Sequence, residues 1–188
     1  MKYDKSYLRN IFLLERKKRY LSVEKFDFNL IFKLIKKIFN SKKISIAGYY
    51  PSNYEVNILK FLESASKKNF RIALPVVKSS TLMNFKSWII KEPLYVSKFG
   101  ILEPKKSNKV IIPDLVMVPL VAFDDRLNRI GYGKGYYDRS LQKIKKVKNK
   151  TISLGIAHSF QKCKRIPVNK YDFKLDYIFT ERGIISSN

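Results

Sequence analysis

The residues best suited to chemistry lie in one run, Gly131-Tyr132-Gly133-Lys134-Gly135-Tyr136-Tyr137-Asp138-Arg139, where three alternating glycines surround a lysine and lead into two tyrosines, an aspartate and an arginine. Glycine lets the backbone take dihedrals closed to other residues and lets its N–H groups approach a ligand closely. Successive amides of this kind form a concave anion-binding surface that the Lys134 ammonium can complete, so the run suits a phosphate. It is not a Walker A loop, because Gly135 rather than Ser or Thr follows the lysine, and it is not the dinucleotide fingerprint, because the third glycine comes too early. Asp138 closes the run. A carboxylate beside phosphates suits Mg2+, which takes one or two protein carboxylates and completes its octahedron with phosphate oxygens and water. Asp172 and Asp176 stand four apart in another loop, and either could supply a second ligand.

Other chemistries are poorly provided for. The single cysteine, Cys163, excludes an intrachain disulfide and a multi-cysteine metal site, and with no His/Asn arrangement around it is read as a bystander thiol. The single histidine, His158, cannot build a histidine-rich zinc site, and it and Gln161 are read as ordinary loop residues. No Ser/His/Asp set is visible.

The elements that must position the run follow from periodicity. Residues 5–20 read as a basic helix with Leu8, Ile11, Phe12 and Leu14 on its apolar face, and Lys5 and Arg9, four apart, share one side of it. Ser22 is a candidate N-cap for a second helix, with Glu24 in its first turn, Ile31, Leu34, Ile35 and Ile38 at core spacing, and an end near Asn40. A strand over residues 44–50 stops at Pro51, a helix follows over 55–68, and strands over 71–77 and 82–88 complete a β-α-β unit and its neighbour. Between Ile89 and Pro113 the pattern loosens. Residues 115–123 form the most continuously apolar run, as a central strand covered on both faces requires, with Pro119 near its end. A turn over 124–129, the glycine run, a helix over 140–147, and strands over 151–157 and 175–180 complete the chain. The order strand, glycine loop, helix places the run beyond the carboxyl end of a strand, where open α/β sheets bind ligands.

The 188 residues form one domain by size, with no linker or repeat. No apolar run approaches the roughly 18 residues that a membrane span needs, and the N-terminus lacks a signal peptide's apolar core; the expectation is a cytoplasmic monomer. Lysine and arginine number 39 against 15 acidic residues, a net charge of +24. That excess admits anionic ligands or nucleic acid. It is almost all lysine, dispersed, and accompanied by abundant Ile, Asn, Phe and Tyr, which reads as compositional bias on a solvated surface.

With these residues in view, the chain resembles the 5-formyltetrahydrofolate cyclo-ligase family, also called methenyltetrahydrofolate synthetases. The signature is Val118-Pro119-Leu120-Val121-Ala122-Phe123-Asp124 followed by Arg129-Ile130 and the glycine run. Lys5-Ser6-Tyr7-Leu8-Arg9 resembles the family's Lys-x-x-Leu-Arg, Glu55 falls in its loop after the first strand, and Phe99-Gly100-Ile101-Leu102-Glu103-Pro104 matches its Gly-x-x-Glu-Pro element. Ile166-Pro167, Asp172, Asp176 and Thr180-Glu181 follow its C-terminal pattern. The resemblance implies a three-layer α/β/α sandwich with a mostly parallel, Rossmann-like sheet, the glycine loop lying over the cleft. It implies closure of 5-formyltetrahydrofolate to 5,10-methenyltetrahydrofolate, with ATP as co-substrate going to ADP and phosphate, and Mg2+ required. Phosphorylation of the formyl oxygen would make it a leaving group, after which the neighbouring folate nitrogen attacks and phosphate departs.

Carried over position by position, Lys5, Arg9, Arg129 and the span Gly131, Tyr132, Gly133, Lys134, Gly135, Tyr136 and Tyr137 would contact ATP, with Lys134, Arg129 and Tyr136 serving the chemistry. Asp138 and Asp172 would hold Mg2+, and Asp176 is read as structural, facing the Asp172 loop. Tyr50 and Glu55 would face the folate, and Tyr132, Gly133, Lys134, Gly135 and Tyr136 would border both ligands; for Tyr50, site and core are equal readings. Asn57-Ile58 stands where the family has an acidic residue and threonine, and Leu127 where it has a turn glycine. Two rivals stand beside this reading: a basic nucleic-acid-binding protein, resting on charge alone, and an ATP-binding relative without cyclo-ligase activity.

Overall fold

From Leu115 to Val118 every side chain is buried, which a strand achieves only inside a sheet covered on both faces. The architecture, seen in a computed structural model that describes residues 4–22, 25–40, 42–79, 81–98 and 100–187, meets that requirement. The described helices are α1 (Lys5–Arg19), α2 (Asn29–Phe39), α3 (Leu59–Lys67) and α4 (Tyr136–Val147). The strands are β1 (Ser45–Ala47), β2 (Arg71–Val77), β3 (Met83–Ser87), β4 (Tyr95–Val96), β5 (Leu102–Glu103), β6 (Val110–Ile111), β7 (Leu115–Pro119), β8 (Ala122–Phe123), β9 (Arg129–Ile130), β10 (Ile152–Ile156), β11 (Tyr177–Thr180) and β12 (Gly183–Ser186).

Eight strands form one sheet in the order β12-β11-β10-β7-β1-β2-β3-β6. The five from β11 to β2 are parallel, and antiparallel β12 on one edge and β3 and β6 on the other extend them. Because strand side chains alternate, Ile46, Leu74, Leu115, Met117, Leu154 and Phe179 pack with α2 and α3, while Ala47, Ala73, Val116, Val118 and Ile178 pack with Leu141 of α4. The result is the expected three-layer α/β/α sandwich with a mostly parallel sheet. Helix α1 lies across a separate hairpin, β8 paired antiparallel with β9, through Leu8, Val121, Ala122, Ile130 and Ile166.

Several boundaries depart from the sequence pattern for identifiable reasons. Residues Tyr20–Ser22 form a 3-10 turn closing α1, and α2 begins at Asn29 rather than after Ser22, with the Asp27 carboxylate accepting from the Asn29 N–H at 3.1 Å. Phe26 and Phe28 are drawn out of helix because their rings pack on Phe179 at 5.6 and 5.8 Å; Glu24 lies outside the described residues, as does Phe99. Helix α3 begins at Leu59, where Asn57 Oδ1 accepts from the Leu59 N–H at 3.0 Å, so Glu55 precedes the helix. The run over residues 115–123 is two elements, since β7 ends at Pro119 and the chain bends into β8. Gln161 holds that bend, donating to the Leu120 and Val121 carbonyls at 2.9 and 2.8 Å while accepting from the His158 N–H at 2.8 Å. Both Gln161 and His158 are thus buried rather than ordinary loop residues. On α1, Ile11 and Leu14 are exposed, and the inward face is Leu8, Phe12 and Arg16.

Candidate active site

A cavity of about 770 Å³ opens at the carboxyl ends of β1, β2 and β7, where Tyr49, Tyr50, Val77 and Pro119 line it. This is the end at which open α/β sheets bind ligands. All the residues expected at the site line this single space: Lys5, Arg9, Tyr50, Glu55, Arg129, Asp138, Asp172 and every residue from Gly131 to Tyr137.

The glycine run is shaped by β9, which feeds it, and by α4, which it starts. Gly133 (φ +90°) and Gly135 (φ +66°) occupy the left-handed region, while Gly131 does not. Helix α4 begins at Tyr136, four residues earlier than the sequence pattern suggests, so Tyr136, Tyr137 and Asp138 form its first turn. Gly135 caps that helix without a side-chain hydrogen bond, and the positive end of the helix dipole bears on the cavity that Gly135, Tyr136 and Tyr137 line. Two arginines brace the loop. Arg9 Nε donates to the Gly131 carbonyl at 2.8 Å, and Arg139 donates to the carbonyls of Lys134 and Thr81 at 2.7 and 2.8 Å while its guanidinium lies 5.6 Å from the Tyr136 ring centre. Lys134 is exposed on the loop's crest.

Each expected metal carboxylate is held by a cation expected at the nucleotide. Arg129 Nη1 donates to Asp138 Oδ1 at 2.8 Å, and Lys5 Nζ to Asp172 Oδ2. Backbone N–H groups complete the cradles, from Phe173 to Asp138 at 3.1 Å and from Asn169 to Asp172 at 2.7 Å. The two aspartates therefore bracket residue 173 on one wall. Two carboxylates on one wall are a donor set that matches an ion taking one or two protein ligands; no cluster of three or more His, Cys, Asp or Glu occurs among the described residues. Asp176 is structural: it accepts from the Ser153 N–H and Oγ, both at 2.7 Å, and pairs with Lys145 at 3.1 Å, so it clamps β10 and α4 rather than facing the Asp172 loop.

The opposite wall carries Glu55, 6% exposed, in a tight turn where Ser52 N donates to Glu55 Oε2 at 2.9 Å and Asn53 and Tyr54 take positive φ. Burial raises the Glu55 carboxyl above its ordinary range, while the Ser52 N–H, Arg16 and Tyr132 oppose the rise. Tyr132, beside it, is pushed up to about 12, chiefly by desolvation and then by the charge of Glu55. Tyr49 and Tyr137 are raised by the same two causes, so the phenols around Glu55 stay protonated.

Three residues at or behind the cavity wall escaped sequence reasoning. Arg16 is 1% exposed and donates to the Tyr132 hydroxyl; its only advance sign was its place seven residues after Arg9, on the same face of α1. Glu103, in the Gly-x-x-Glu-Pro element, accepts from the Val77 N–H at 3.1 Å and fixes the far wall. Arg139 stood in the run with no role assigned.

An open, mostly parallel sheet with a glycine loop, a helix start and cations gathered at one cavity on its carboxyl edge defines an α/β enzyme acting on small molecules. The particular family follows from comparison with known proteins. The 5-formyltetrahydrofolate cyclo-ligase family model matches residues 1–181, and the chain belongs to that family. It is 33% identical over 138 residues to the 5-formyltetrahydrofolate cyclo-ligase of Haemophilus influenzae, spanning 70% of this chain and 72% of the relative. With the cyclo-ligase of Mycoplasma pneumoniae it shares 34% over 138 residues, 73% of each. Among solved structures, 5,10-methenyltetrahydrofolate synthetase from Mycoplasma pneumoniae superposes with a TM-score of 0.71 at 26% identity, covering 95% of this chain and 99% of that one. The Aquifex aeolicus enzyme gives 0.72 at 28%, covering 97% and 92%. The chain is a ligase that closes 5-formyltetrahydrofolate to 5,10-methenyltetrahydrofolate.

Proposed function

We propose that this chain drives the closure with ATP, using the α4 end of the cavity for the nucleotide phosphates and the Glu55 end for the folate. The observation that carries this reading is the sharing of one space of about 770 Å³ by an uncapped helix start with its glycine loop and a buried carboxylate flanked by phenols. Phosphoryl transfer needs positioning and charge stabilisation more than a protein nucleophile, and the cavity offers cations and oriented amides without one. Lys5, Arg9, Arg129 and Lys134 supply the positive charge, and the loop amides and α4 supply the dipoles.

Lys5 and Arg129 donate to Asp172 and Asp138. Phosphate oxygens would give both cations stronger partners and release both carboxylates together. Asp138 and Asp172 would then hold Mg2+, which supplies charge neutralisation at the phosphate oxygens. Lys134 and Tyr136 would border the transferred group, while Tyr50, Glu55 and Tyr132 orient the folate so that its formyl oxygen accepts the phosphoryl group. The neighbouring folate nitrogen then forms the new C–N bond as phosphate leaves.

The test is direct: the purified protein is mixed with 5-formyltetrahydrofolate, ATP and Mg2+, and the absorbance of the conjugated methenyl product is followed. Product formation that requires all three is expected. Folded protein giving no product above the protein-free control refutes the reading.

A further inference from the structure

Arg16 is a buried cation whose donors are spent in an unusual way. Nη1 reaches the Leu120 carbonyl at 3.3 Å, Nη2 donates to the Tyr132 hydroxyl, and Nε has no partner among the described residues. Taking a guanidinium out of water is costly unless its surroundings compensate, and Leu8 and Phe12 on the same face of α1 bury without any charge. An arginine here calls for an explanation, and its neighbours provide one.

A guanidinium has donors only. The Tyr132 oxygen must therefore accept from Arg16, which leaves its own proton free for another acceptor. Glu55, which lines the same cavity beside Tyr132, is placed to be that acceptor. The Glu55 carboxylate is surrounded by every element packed on it: Arg16 from α1, Tyr132 from the glycine loop, Tyr137 from α4, Tyr49 after β1, and Ser52 in its own turn. Within this group Arg16 is the cation whose charge lowers the Glu55 carboxyl against its burial, while Arg129 acts on Tyr137 from the other side.

We propose that Arg16 is a positioning residue for the folate half of the site: it fixes the direction of the Tyr132 proton and holds Glu55 as an ionised acceptor for the N–H donors of the folate. The inference rests on the proposed placement of folate at Glu55.

The test measures binding of 5-formyltetrahydrofolate alone, without ATP, across pH 5–9, together with KM for each substrate and the melting temperature. In the Arg16→Met variant, loss of the cation lets burial raise Glu55 further, so the acid limb of folate binding moves to higher pH by about one unit. KM for folate is expected to rise about tenfold or more, with KM for ATP within about twofold, because Lys5 and Arg9 keep their places. Arg16→Lys restores the charge without the fork, so the limb returns toward wild type while affinity recovers only in part. Tyr132→Phe removes the relay while leaving both buried charged residues in place, and it decides the matter if the Arg16 variants do not fold; it too should raise the limb and weaken folate. Glu55→Gln should have no such limb, and adding Arg16→Met to it should weaken folate no further. An unmoved limb in both Arg16→Met and Tyr132→Phe overturns the proposal, as does an equal rise in both KM values with a lowered melting temperature. Because the central readout is binding, absence of turnover in wild type would refute the ATP-driven reading while this one is still measured; wild-type protein that does not bind 5-formyltetrahydrofolate overturns both.

Discussion

Alanine placed at each glycine of the run in turn separates backbone geometry from ligand approach. At Gly135, φ is +66° and a Cβ would stand 2.6 Å from Arg139 Nη1. A non-glycine residue in the left-handed region costs about 1–2 kcal/mol. The guanidinium is mobile enough to yield, but doing so loosens its hydrogen bonds to Lys134 and Thr81, worth roughly 0.5 kcal/mol each at an exposed site. The sum, about 2–3 kcal/mol, corresponds to a melting temperature lowered by roughly 4–12 °C for a domain of this size. Gly133 has φ +90° and a Cβ would meet the Arg9 guanidinium at 3.4 Å, tight but relievable, so its cost is the backbone term alone, about 1–2 kcal/mol. At Gly131 φ is not positive and a Cβ meets nothing within 4 Å. Alanine there should leave stability unchanged or raise it by about 0.5 kcal/mol through the unfolded chain. Yet that methyl would project where phosphates are proposed to approach, so KM for ATP should rise roughly tenfold, a loss of about 1.4 kcal/mol. Differential scanning fluorimetry and initial-rate kinetics give both readouts. Equal melting temperatures for the three variants would refute the conformational argument, and a Gly131→Ala enzyme with unchanged KM for ATP would refute the placement of the nucleotide.

Asp138→Asn and Asp172→Asn should each raise the Mg2+ concentration for half-maximal turnover by about tenfold or more, whereas Asp176→Asn should lower the melting temperature, by the roughly 1–2 kcal/mol of a disrupted part-buried cluster, and leave that concentration unchanged; the same Mg2+ titration for all three would show the metal misplaced. His158, stacked on Phe160 with ring centres 5.2 Å apart, is held down to about 4 by burial, with Arg16 adding to the effect and Glu181 opposing it. Its folded-state value lies below the ordinary 6.5, so the stability it confers is complete above pH 6.5 and is lost as pH falls towards about 4, up to roughly 3 kcal/mol. His158→Phe should flatten the pH dependence of the melting temperature across that window, and a slope equal to wild type would refute the assignment.

What was legible in the sequence is what neighbouring residues encode together. The glycine run declares its own backbone conformation and its charge, and Lys5 and Arg9 declare a shared face by their spacing; all three reach the same cavity. Arg16 was illegible because its spacing from Arg9 alone does not set it apart from the other 38 basic residues. Its burial is decided by the β8–β9 hairpin packing against α1, a contact across more than a hundred residues that begins with the bend after Pro119. The start of α2 was illegible for a similar reason, since Phe26 and Phe28 leave helical pattern only to meet Phe179 at the far end of the chain. Leu127 shows both levels at once. It stands at φ +63° where the family pattern has glycine, in the turn that Asp124 organises by accepting from Arg126 N and Asn128 N at 3.0 Å. Left-handed backbone costs this leucine about 1–2 kcal/mol, but its side chain is fully buried against the α4 side of the sheet, which stabilises by about 1.5–3 kcal/mol. The turn therefore keeps a glycine-like backbone without the glycine, and the residue that departs from the family pattern in the sequence is in the structure a core contact on the α4 side of the sheet.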